Sequence, residues 1–205
     1  MVGIRIREGK LSDISAIINM PGNDILFETC KNKVEIEFVH EKLRLHITHP
    51  SSRVLTAWLD NELIGFLIYT IDERKFKNFI KSPKILSRIA LRMIFGFYGY
   101  NPLNLGRFIR RFLRRLRQPY GEGVFPLPNA FLVAYATHLN FRKKGVASAL
   151  LAYFLQEAKA NGVKEIGAWV GIDNEPSLLA LQKFGFEIKG KCFSSSPMFL
   201  LVRKL

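Results

Sequence analysis

The residues that could do chemistry lie mostly in the last third of the chain. Arg142-Lys143-Lys144-Gly145-Val146-Ala147-Ser148 places three cations and then small residues between an apolar run and a helical pattern. Gly145, Ala147 and Ser148 let backbone N–H groups come close to a ligand. A helix start adds unpaired N–H groups and the positive end of the helix dipole. Together these suit a phosphate or pyrophosphate. An ordinary basic turn before a helix uses the same residues, so the loop alone leaves both readings open. Tyr135 and His138 are the titratable side chains just ahead of it. A strand Tyr more often packs than catalyses, and polar residues are routine in turns. Cys192 has no His near it in sequence and reads as a small packed residue. Cys30 lies far from it, so neither a metal-type spacing nor a disulfide framework appears. No metal is expected, and a reducing cytoplasm is the expected compartment.

Strands and helices must position these groups. Residues 2–7 alternate Val or Ile with polar residues, which predicts a strand. Ser12-Asp13 offers an N-cap ahead of Ile14, Ile17 and Ile18, and Pro21-Gly22 ends that helix. Ile36, Val39, Leu43 and Ile47 predict a second helix over 34–48, with His40, His46 and His49 as solvated residues on or after it. Residues 53–60 and 63–71 flank Asp60-Asn61-Glu62, a hairpin signal. Residues 131–137 read as a strand. Residues 146–161 read as a helix burying Ala149, Leu150, Tyr153, Phe154 and Ala158. A strand over 166–172 follows, then a short helix opened by Pro176, then strands over 186–193 and 198–203. That order is a mixed α/β, α+β layered fold with a mostly antiparallel sheet flanked by helices.

The charge sits in one place. Of 31 basic residues, 13 fall between Arg74 and Arg117, a stretch with no Asp or Glu. The remaining 18 face 17 acidic residues, so a near-neutral body carries one basic segment. An apolar fraction of 48% and a charged fraction of 23% exclude a disordered chain. The 205 residues fit a single domain, 1–205, with residues 74–128 as a basic helical insertion within it. Ile85, Ile89, Met93 and Phe97 recur at helical spacing with Arg88 and Arg92 among them. In 107–117, Phe108, Ile109, Phe112, Leu113 and Leu116 share one face and six arginines take the other. No signal-peptide run and no uncharged span of about 18 apolar residues appears. Four roles fit the insertion: a helical hairpin packed on the core, peripheral membrane contact through 84–117, an anionic or lipid-linked acceptor, or nucleic acid. Nucleic acid is the weakest, because no recognised reading module accompanies the charge.

The phosphate-type loop resembles motif A of the GCN5-related N-acetyltransferase (GNAT) superfamily, Gln/Arg-x-x-Gly-x-Gly/Ala, at Arg142, Gly145 and Ala147. A second family motif, Asn-x-x-Ala-x-x-Leu-Tyr-x-Lys-x-Gly-Phe, is matched at Asn174, Lys183, Gly185 and Phe186. The resemblance covers residues 2–73 and 129–205. It implies acetyl-CoA as acyl donor and a primary amine of a small molecule or amino sugar as acceptor, attacking the thioester directly. It also implies that Ala136 and Thr137 pair with the pantetheine arm and that loop amides from Lys143 to Ser148 hold the pyrophosphate. Arg142, Lys143 and Lys144 would add charge there, Asn174 would sit near the donor, and a strand N–H near Tyr135 to Thr137 would serve the oxyanion. The family's usual general acid, a Tyr, falls on Leu181, and its usual Glu falls on Phe131. Tyr135 is left as a weak candidate catalytic residue. A CoA-binding regulator with little turnover, or a domain targeted to membrane or polyanion, is the alternative. The expected location is cytoplasmic, with the inner membrane face as a further possibility.

Overall fold

The structure is a computed structural model, and it describes residues 3–23, 33–95, 127–192 and 197–205. The helix expected over 107–117, Asn101-Pro102 and most of the turn before Pro197 lie outside these residues. Seven strands form one sheet: β1 (Ile4–Glu8), β2 (Ser52–Leu59), β3 (Glu62–Thr70), β4 (Ala130–Thr137), β5 (Glu165–Gly171), β6 (Glu187–Cys192) and β7 (Met198–Lys204). Their order is β1-β2-β3-β4-β5-β7-β6. Every neighbouring pair is antiparallel except β4 and β5. Helices α1 (Ile14–Asn19), α2 (Lys33–Thr48), α3 (Glu73–Ile80), α4 (Pro83–Ile94), α5 (Val146–Ala160) and α6 (Glu175–Lys183) complete the described elements. The mixed, mostly antiparallel sheet expected from the sequence is the one observed.

Alternation along the strands sorts side chains into two layers. Leu55, Ile64, Leu67, Tyr69 and Leu201 share a core with Leu150, Leu151, Phe154, Leu155 and Ala158 of α5. Val54, Phe66 and Ile68 share the opposite face with Ile14 and Ile17 of α1 and Val39 and Leu43 of α2. Some expected faces shift. Tyr153 points outward while Leu151 and Leu155 turn in, and Ile36 is exposed. Asp13 does not cap α1 forward. Its carboxylate accepts from the Lys10 N–H at 2.7 Å and is held by both Arg7 guanidinium nitrogens. Burial pushes the Asp13 pKa up, but the Arg7 and Lys10 hydrogen bonds outweigh this and hold it below the usual value.

Two helices follow β3 at once. Asp72 starts α3 by accepting the Lys75 N–H at 2.9 Å, a helix start the sequence reading missed. α3 docks through Phe76, whose ring lies 4.4 Å from the His46 ring. His46 is therefore buried, contrary to the solvated reading, and its Nδ1 lies 2.7 Å from Ser52 Oγ. Burial, and then the charges of Lys42 and His49, hold the His46 pKa well below 6.5. A depressed histidine pKa means the folded chain binds fewer protons than the unfolded chain below pH 6.5. Stability is thus expected to fall as pH drops from about 6.5 to about 5. Urea unfolding midpoints measured across that range test this. The His46→Asn variant should be less stable but show a flatter slope.

Candidate active site

β4 makes parallel pairs with β5 only at Ala130↔Ile166, Phe131↔Gly167 and Leu132↔Ala168. Both strands continue beyond this, to Thr137 and Gly171. Among the described residues, the β5-facing side of β4 from Val133 onward therefore has no strand partner. The divergence begins at a bulge. Ile68 pairs with Ala134 and Tyr69 with Leu132, so Val133 is an extra residue in β4. The bulge flips the alternation. Ala130 and Leu132 lie in the α5 layer, yet Ala134 and Ala136 lie in the α1–α2 layer, and Tyr135 is the residue facing α5. Phe131, against Leu200 and Val202 on the face away from α5, is covered rather than catalytic. A Cβ at Gly167 would stand 2.6 Å from the Phe131 ring, so only glycine leaves room for it.

The open end of β4 leads into the basic loop. The amides of Phe141 and Arg142 are used by the 3-10 turn Leu139–Phe141. Lys143 and Gly145 then take the left-handed conformation, at φ 60° and 81°. Gly145 is the N-cap of α5, and no side chain caps that end. The Ala149 N–H is bonded to the Gly145 carbonyl, so the amides of Val146, Ala147 and Ser148 lie ahead of it in the first turn. By contrast, Asn174 caps α6 by accepting the Ser177 N–H at 3.2 Å, as Asp72 caps α3. Gly65 lets α5 settle on the sheet, since a Cβ there would meet Val146 at 2.9 Å and the Ala136 carbonyl at 3.1 Å.

The sequence-derived residues thus gather at one place, with differences in detail. Ala136 and Thr137 end the divergent strand opposite Phe66 and Gly65. Arg142 and Lys143 are exposed, and Lys144 Nζ lies 5.2 Å from the Phe141 ring centroid. Arg142 also donates to the Gly22 carbonyl at 3.2 Å, and the Leu139 N–H donates to Pro21. The α1–α2 connection is therefore tied to the loop, a link no sequence signal revealed. Asn174 stands where β5 ends, its carbonyl oxygen committed to the α6 cap. Leu181 is fully buried in the α5 layer. The Tyr135 hydroxyl is buried facing Ser177 without closing a hydrogen bond of good geometry. Burial raises its pKa, the Ser177 hydroxyl opposes that, and the phenol stays protonated at neutral pH. His138 is buried ahead of the loop, with Nδ1 accepting the Asn140 N–H and Nε2 3.4 Å from Glu62. Among the described residues no group of three or more His, Cys, Asp or Glu could hold a metal ion.

Residues 94–186 match the model of the acetyltransferase (GNAT) family. Over this stretch the chain is similar to GNAT acetyltransferases. Solved structures with the same fold include PaiA N-acetyltransferase from Thermoplasma acidophilum in complex with coenzyme A. It is 16% identical, with 100% of each chain covered and a TM-score of 0.61. Ard1 from Thermoplasma volcanium is 17% identical at a TM-score of 0.60, covering 100% of this chain and 99% of its own. Ribosomal-protein-alanine N-acetyltransferase from Brucella melitensis is also 17% identical at 0.60, covering 98% and 99%. At these identities the likeness speaks to fold alone. A comparison with curated proteins found no match.

The bulge makes a sharp prediction for this chain. Deleting Val133 would close the bulge with Leu132 still opposite Tyr69 and Ala134 still opposite Ile68, so Tyr135 keeps the α5 layer and only the local kink of β4 is lost. The cooperative thermal transition is therefore expected to survive with a midpoint lowered by less than about 10 °C, and a larger drop would show that the bulge itself holds β4 in place. Substituting Val133 by Thr, which keeps the residue count, should leave the transition in place.

Proposed function

We propose that the protein transfers an acetyl group from acetyl-CoA to the primary amine of a small molecule or amino sugar, the amine attacking the thioester directly. The observation that carries this reading is the β4–β5 divergence running into the uncapped start of α5. PaiA N-acetyltransferase, which shares the fold, was solved with coenzyme A. The loop fits such a donor: it combines left-handed turns at Lys143 and Gly145, an uncapped helix end and three cations. In this reading Arg142, Lys143 and Lys144 offset phosphate charge while the amides of Gly145, Val146, Ala147 and Ser148 donate to phosphate oxygens. The unpaired edge of β4, including Ala136 and Thr137, receives the pantetheine arm. A β4 amide near Tyr135 to Thr137 donates to the developing oxyanion. Asn174 borders the same opening from the end of β5. The acceptor is anionic or lipid-linked, as the basic segment beside β3 and β4 suggests.

Proton transfer has no dedicated group at the two expected places, since Leu181 and Phe131 are both apolar and buried. Tyr135 is shut in behind α6, which favours a packing role. Tyr135→Phe should therefore keep kcat within about threefold. A fall nearer a hundredfold, the scale of general-acid loss, would instead make the phenol the proton donor. The same two apolar positions favour a second reading, a CoA-binding regulator with little turnover. Single-turnover thioester cleavage with a mixed amine panel separates them: acylation of some amine is expected, and none despite CoA binding would support the regulator. Gly145→Asp puts a carboxylate against the phosphates, and calorimetry should show acetyl-CoA affinity weakened about a hundredfold or more.

A further inference from the structure

α4 turns two isoleucines and two arginines toward the body. Arg88 and Arg92 both donate to the carboxylate of Glu41 on α2, the second at 2.9 Å, and Glu41 is 2% exposed. Ile85 and Ile89 lie on the same buried side. What faces outward is Lys84, Ser87, Ala90 and then Leu91, Ile94 and Phe95. These last three are 52%, 66% and 72% exposed, the highest values among the described large apolar side chains. Two arginines on one buried carboxylate fix the helix about its axis. Rolling α4 to hide its apolar turn would strip Glu41 of both partners, which is costly for a buried charge.

We propose that this outer face of α4 seats the protein on an anionic bilayer surface. Leu91, Ile94 and Phe95 enter the interface, and the exposed cations Arg74, Lys81 and Lys84 on the same pair of helices meet lipid phosphates. Charge selects this occupant. A second copy would bring a chain of net charge +14 against another of +14. A nucleic acid would satisfy the cations and leave the apolar turn in water. An anionic leaflet meets both needs. No helix among the described residues is long and apolar enough to cross a membrane, so the contact is peripheral. The placement stands independently of which amine is acetylated, and it would bring a lipid-linked acceptor within reach.

The test uses the full chain with vesicles of phosphatidylcholine, alone or mixed with phosphatidylglycerol. Co-sedimentation with the mixed vesicles only is expected. Leu91→Gln, Ile94→Gln and Phe95→Gln combined should lower that binding about tenfold or more, with the acetyl-CoA affinity and unfolding midpoint of the parent chain. A Phe95→Trp reporter should shift its emission to the blue on adding mixed vesicles. Binding that the triple variant retains would overturn the proposal, as would no binding and no emission shift. A triple variant that loses stability would show the face to be covered by the chain itself, and one that loses self-association would show it covered by a second copy. Either outcome also overturns it. If vesicle binding holds while CoA binding fails, the donor reading falls and this inference stands.

Discussion

Among the described residues, the sheet crosses from one half of this protein to the other through three residue pairs of parallel strand. β4 meets β5 at 130–132 and then leaves it. The antiparallel ladders on either side are much longer. The sheet is thus continuous where Ala130, Leu132, Ile166 and Ala168 bury a shared core, and beyond it no described strand pairs with the β5-facing side of β4. The Val133 bulge makes this compatible with a packed interior. It lets β4 keep its bonds to β3 while changing which side chains face which layer, so small Ala134 and Ala136 meet α1 and α2 and the larger Tyr135 meets α5 and α6. Phe131 over Gly167 closes the joined end.

The loop at the open end inherits its position from that divergence. α5 packs on β3 through Val146, Leu150 and the space left by Gly65. Its uncapped first turn is thereby held at the mouth of the gap, and the Arg142–Gly22 contact ties the α1–α2 connection to the same place. The loop and the α1–α2 connection share one corner.

A second constraint acts on the other side of the sheet. Glu41 is a buried carboxylate on α2 and needs compensation. The chain supplies it from α4, well beyond β3, through Arg88 and Arg92. His46 and Ser52 receive α3 in the same region through Phe76. The first part of the basic segment is therefore built into the body. Its orientation puts Ile85 and Ile89 inward together with the Glu41-bound Arg88 and Arg92, and leaves Leu91, Ile94 and Phe95 outward.

Much of this was legible from the residues. Alternation and helical spacing located all seven strands within a few residues, together with α1, α2, α5 and α6, because each buries one face against a layer. The turn from β4 into α5 was legible because Gly145 marks a helix start whose φ of 81° suits glycine. What the sequence could not show depends on partners distant in the chain. The burial of His46 needs Phe76, the inward turn of Arg88 and Arg92 needs Glu41 some 50 positions earlier, and the side taken by Tyr135 needs a bulge defined only against β3. Local periodicity says that a helix has two faces or a strand two sides. Which one turns inward is decided by the charge or cavity it meets there, and that exists only once the chain has folded.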